Sequence, residues 1–174
     1  MTLVAVRMTF QRMAARRPVE TAVERDDGVV FAMRGGGGGA DLPHDLVHAV
    51  VEAELPLADG VWGCVADGVM WGSMRHVSGR RPPHAADRSN ALKRQRVEAV
   101  QRAEIVAHIV GRLARDENIL PNEIAASGVP PERIAVAVEA VRDAARRWAA
   151  LPVGEHWVVE WPSRPGRSAG RRSA

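Results

Sequence analysis

Two histidines, His44 and His48, stand one helical turn apart with Asp45 directly after the first. At this spacing both imidazoles leave the same face of a helix, and both can reach one divalent ion at about 2.0–2.1 Å. An acid beside the first ligand can act as general base on a metal-bound water, or can orient the imidazole from behind. Without a metal, the same His/Asp set has the groups for acid–base chemistry. Glu52 continues the face, but it lies about 12 Å from His44 along the axis at 1.5 Å per residue. One ion cannot take both ends, so a third ligand must come from outside the helix. The loop histidines His76 and His84 are the expected completing ligands, with Asp67, Asp87 and Cys64 behind them. A purely structural role also fits: an acid in a first helical turn is what the helix dipole favours, and the histidines need only be solvated or hydrogen-bonded.

The elements that must position these residues are legible in part. Residues 2–12 alternate, with Val4, Val6, Met8 and Phe10 on one side, which predicts a half-buried strand. Val19 to Arg25 predicts a second strand, Asp27-Gly28 a hairpin turn, and Val29 to Met33 a third strand. The five glycines from Gly35 to Gly39 lack the Lys-Ser/Thr ending of a phosphate loop and read as a flexible connection. Asp41 is placed to cap the histidine helix and Pro43 to open it, with Leu46, Val47, Val50 and Val51 inward and Pro56 ending it. Residues 57–74 fit either a hairpin turning at Asp67-Gly68 or a short helix with a glycine stop. Residues 75–90 are basic and proline-containing and read as an exposed loop. From about Asp87 to Glu117 the apolar spacing is helical, with Val97, Val100, Ile105, Val106, Ile109, Val110 and Leu113 inward and the Arg and Glu residues between them on a solvated face. A short helix from Pro121 stops at Gly128. A long one runs from Glu132 to Ala150, with Ile134, Val136, Val138, Val141 and Ala145 inward. Glu155 to Trp161 alternates and predicts a last strand returning to the first sheet. These readings give one α+β domain over residues 1–161. A small antiparallel sheet, formed by the N-terminal meander and the C-terminal strand, packs against one short and two long helices. Residues 162–174 are an Arg-, Ser-, Gly- and Pro-rich tail expected to be disordered.

Composition removes several classes. With 46% hydrophobic and 26% charged residues, the chain is globular rather than disordered. A single cysteine, Cys64, excludes an intrachain disulfide and a Cys-rich zinc module. In its apolar surroundings that cysteine reads as core before nucleophile. The start of the chain carries Arg7 and Arg12 inside its apolar stretch, unlike a signal peptide, and no apolar run approaches the roughly 20 residues of a membrane helix. A cytoplasmic protein without a membrane anchor is the expectation. All but one of the 24 basic residues are arginine, yet the formal net charge is only +3. Arg164, Arg167, Arg171 and Arg172 can account for that excess, so charge alone does not demand a nucleic-acid partner.

The residues from Leu42 through Ser89, with the LPHDLVH helix, the Trp-Gly and Asp-Gly region and the SGRRPPHAADRS loop, are similar to a group of uncharacterised bacterial proteins. That resemblance implies no activity. The five residues His44 to His48 resemble the zinc-peptidase helix motif, departing from it where Asp45 stands in place of glutamate. This resemblance implies zinc or another divalent metal on His44 and His48, Asp45 as base, and a hydrolase-like reaction. The alternative is a non-enzymatic module that binds a protein or nucleic acid through the basic loop 75–88 and the Arg-rich tail. A third is a structural protein that forms homo-oligomers, with the histidines incidental.

Overall fold

The computed structural model describes residues 4–14, 17–37 and 39–163. Three N-terminal strands form a meander: β1 (Val4–Gln11), β2 (Val19–Arg25) and β3 (Val30–Gly35). In β2 the period-two pattern is strict, with Val19, Thr21, Val23 and Arg25 buried and Glu20, Ala22 and Glu24 exposed. In β1, Val6, Met8 and Phe10 are fully buried while Arg7 is exposed. Antiparallel strands with one wet face produce this alternation. The turn between β2 and β3 uses Gly28 at φ +78°, and the Asp27 carboxylate accepts from Val29 N and pairs with Arg25. The expected C-terminal strand is β5 (His156–Pro162), which joins β1 antiparallel with Met8 opposite Val159 and Phe10 opposite Trp157.

The helices are α1 (His44–Glu54), α2 (Val61–Ala66), α3 (Ala85–Gln95), α4 (Val97–Ala114), α5 (Pro121–Ala126) and α6 (Pro131–Ala150). The fold is α+β: with a fourth strand, β4 (Met74–Ser78), the strand pairs of the described residues are all antiparallel in the order β4-β3-β2-β1-β5. One core lies between the sheet and α1, α2 and Trp148; it includes Met8, Phe10, Phe31, Leu46, Ala49 and Trp62. A second lies among α1, α4 and α6 and includes Val51, Val106, Val110, Ile134 and Val141. Helix α1 contributes to both. No helix among the described residues is long and apolar enough to cross a membrane.

Several local expectations change. Residues 75–90 are not one loop: Met74–Ser78 is the edge strand β4, paired with β3, and α3 begins at Ala85. All of β4 except Met74 is exposed, and α3 buries only Ser89, so neither element has an apolar pattern to read. The helical stretch predicted from Asp87 breaks at Arg96, whose guanidinium contacts Asp59 at 3.3 Å and Asp67 at 2.7 Å. The 57–74 stretch takes the short-helix option, with Gly68 at φ +110° just beyond it. Val97, Ile105 and Val136, expected inward, are about half exposed because their helices turn other stripes to the core. Asp41 does not cap α1. Pro43 holds the cap position without a side-chain bond, and His44 N donates to Gly36 O at 3.1 Å. The glycine run is therefore tied to the helix it precedes, and Trp148 Nε1 donates to Gly39 O at 3.2 Å. The tail from residue 164 onward lies outside the described residues.

Gly63 tests how tightly α2 is seated. A methyl group there would drive into the Ala58 carbonyl, whereas at Gly72 it would meet open space. Gly63→Ala is expected to lower stability by about 1–3 kcal/mol in urea denaturation, as overpacking does. Gly72→Ala should change it by no more than about 0.5 kcal/mol.

Candidate metal centre

Glu52, near the end of α1, has a fully buried side chain. A carboxylate in that position needs partners for its oxygens. It accepts from Val61 N at 2.9 Å and Trp62 N at 3.0 Å. These amides open α2, so the acid of one helix serves the N-terminus of another, where unpaired N–H groups and the helix dipole favour negative charge. Gly60, at the cap of α2, has no side chain of its own to do this, and a Cβ there would collide with the Glu52 carboxyl. Trp62 Nε1 donates to Asp45 O at 2.9 Å and ties α2 to the first turn of α1 as well.

One helical turn earlier, the buried His48 places Nδ1 3.0 Å from Glu52 Oε1. That oxygen already accepts a backbone N–H, so the imidazole nitrogen is the donor. The ring's orientation and tautomer are thereby set, and Nε2 faces outward. There it meets Glu104 Oε2 of α4 at 3.1 Å. The His44 ring lies edge-on to His48 with centroids 4.7 Å apart. His44, His48 and Glu104 each bring one ligand atom within 4.8 Å of the others, and this group could hold a metal ion. His48 is buried at its base, while His44 and Glu104 are more than half exposed at the rim.

The expected site residues distribute unevenly. His44 and His48 do converge. His76 and His84 are absent from the group; the third member is Glu104, 56 residues beyond His48. His76 is on the sheet edge, bonded to Gly79 O at 2.8 Å and packed against Phe31. His84 precedes α3 at φ +55° and stands 3.8 Å from Asp87. The physical reason is that β4 pairs with β3 at one sheet edge, whereas the histidine face of α1 turns toward α4. Asp45 Oδ1 is 3.9 Å from His44 Nδ1, and its other oxygen is buried against Gly35 with no hydrogen-bond partner among the described residues. Glu52 lies outside this group, as the axial distance requires, and bonds to His48 on its Nδ1 side. Cys64 is buried, with Sγ on Asp59 O at 3.4 Å, and burial pushes its thiol pKa up, away from a nucleophile's.

Glu104 was not legible in the sequence. It reads as one more acid on the solvated side of α4, and only the packing of α4 on α1 gives it a partner. Comparison with family models, curated proteins and solved structures finds no match to this chain.

Burial alone would lower the His48 pKa, but the hydrogen bond and charge of Glu52, with a smaller contribution from Glu104, raise it above the ordinary 6.5. A raised folded-state pKa adds stability that is full below the unfolded value near 6.5 and is lost as pH rises through the folded value. Metal-free protein should therefore lose stability as pH climbs above 6.5, and His48→Gln should remove that component of a pH series of denaturation curves. Glu52→Ala leaves two amides and the Nδ1–H of His48 unpaired and should cost about 3–5 kcal/mol in the same assay. Glu104→Ala, at the exposed end of the chain of bonds, should cost no more than about 1 kcal/mol.

Proposed function

We propose that His44, His48 and Glu104 bind a divalent transition-metal ion, zinc being the first candidate, and that the centre serves a hydrolase-like enzyme. The observation that supports this most is the fixed His48 imidazole. Its Nδ1–H is held by a buried carboxylate, and its Nε2 is 3.1 Å from a second carboxylate oxygen. A carboxylate behind a ligating histidine is the usual outer-shell arrangement around a metal. Two ligands of a tetrahedral ion with bonds of about 2.0 Å are separated by roughly 3.3 Å, close to the distance between His48 Nε2 and Glu104 Oε2. In this reading Asp45 orients His44 from its Nδ1 side, and His76 and His84 take no part. Two imidazoles and a carboxylate would hold such an ion with a fourth position open, and the ion would supply the lowered water pKa that hydrolysis of an ester, amide or phosphoester requires.

Metal content of protein prepared without a His tag tests the reading directly. Near one equivalent of metal is expected, with loss in the His44→Ala/Glu104→Ala double variant, whose substituted positions are exposed enough to leave the fold intact. Failure of the wild-type protein to take up zinc or cobalt would overturn it. His48 would then be a charged bridge between Glu52 and Glu104.

The second reading has one specific observation behind it. Arg80 and Arg81 in the β4–α3 connection and Arg88, Lys93 and Arg94 on α3 are partly or fully exposed, with Asp87 the only acid among residues 75–96. Such a surface suits phosphate groups of a nucleic acid. Binding to duplex or single-stranded DNA or RNA should then weaken steeply with salt, and the Arg80→Ala/Arg81→Ala/Arg88→Ala variant should reduce the salt slope. A flat salt response would remove this reading.

A further inference from the structure

We propose that His108 is a fourth protein ligand of the same centre, giving a set of three imidazoles and one carboxylate. The inference rests on the reading of His44, His48 and Glu104 as metal ligands and adds a residue to it. Its basis is the way α1 and α4 lie together. Near the start of α1, Val47 Cγ1 is 3.8 Å from where a Cβ on Gly111 would stand, close to the end of α4. Just past the other end of α1, Leu57 to Gly60 line one cavity with Glu98, Ala99 and Arg102 at the beginning of α4. The two helices therefore run antiparallel.

Each helix carries its polar pair at the same spacing: His44 and His48 on α1, Glu104 and His108 on α4. Residues four apart share a helix face. From the contact between His48 and Glu104, the step back to His44 and the step forward to His108 go in the same direction along the pair of helices. His108 thus occupies the remaining corner of a four-residue constellation. Its side chain is exposed, and no hydrogen bond or ion pair holds it among the described residues. By contrast, Ala107, Val110 and Gly111 around it are buried against the neighbouring helices. His108 lies outside the group whose ligand atoms already converge, so joining it calls for a change of side-chain rotamer, to which no bond of the exposed imidazole is opposed.

Three nitrogen ligands and one oxygen ligand complete the tetrahedral shell that zinc and cobalt favour. The set is poorly suited to magnesium or calcium, which take mainly oxygen ligands. A fourth protein ligand would stand where water would otherwise bind, so His108 would govern access to that position.

The test is titration of the full-length chain with cobalt(II), followed by its visible absorption. Wild-type protein is expected to show the intense bands of a four-coordinate nitrogen-rich site. His108→Ala should shift and weaken those bands and lower affinity by at least the roughly 10–100-fold that loss of an outer-shell partner costs. Free imidazole should restore the spectrum by filling the vacated position. His156→Ala, an exposed histidine on β5, should change nothing. An unchanged spectrum and affinity in His108→Ala would overturn the role of His108 and leave the three-residue site standing. No cobalt binding by wild-type protein would overturn both.

Discussion

A carboxylate without water must be surrounded by donors, and Glu52 is the place where this chain meets that requirement. Its oxygens gather the first two amides of α2 and the Nδ1 of His48. That single demand explains several otherwise unrelated features. It explains why α2 starts where it does, why the residue before it is glycine, and why His48 can be deeply buried while keeping both nitrogens partnered. The short helix α2 could not be stable alone at six residues. It is held by a charge from α1 at its N-terminus and by the Trp62 indole packed into the sheet-side core.

Helix α1 is the element through which this constraint spreads. Leu46 and Ala49 pack toward the sheet, while Val51 packs with α4 and α6. A helix buried on two sides has only a narrow strip left for polar residues. His44, His48 and Glu52 occupy that strip in order of increasing burial, from the exposed first turn to the dry last one. The gradient gives the three residues different work. His44 is free to meet solvent or a ligand, His48 is buried and oriented, and Glu52 is locked. Arg96, between α3 and α4, adds a second tether through Asp59 and Asp67, on either side of α2. The start of α4, and hence the approach of Glu104 to His48, is anchored to the same short region.

Local sequence was informative wherever burial was one-sided. The meander, its Asp-Gly turn and the return of β5 to β1 follow largely from alternation, which is strict in β2 and partial in β1, while β3 buries Phe31, Ala32 and Met33 in succession. The pair His44 and His48 was legible for the same kind of reason: a spacing of four places two residues on one helical face whatever surrounds the helix. The eight-residue separation likewise kept Glu52 out of reach of any one ion that His44 could bind. Strand β4 and helix α3 were illegible because nearly all their side chains face solvent, so no apolar periodicity marks them.

The residues by themselves determined an α+β chain and a polar face on its first helix, since these depend on periodicity and on turn chemistry carried within short segments. Only the tertiary structure decided what that face meets. Glu104 is brought to His48 from 56 residues away, and His76 and His84 are carried off to the sheet edge and the start of α3. It also turned Glu52 from one more acid on a helix into the buried anchor of α2. The reason is that such partnerships are set by how α1, α2 and α4 pack their apolar faces, and packing places side chains together without regard to their distance along the chain.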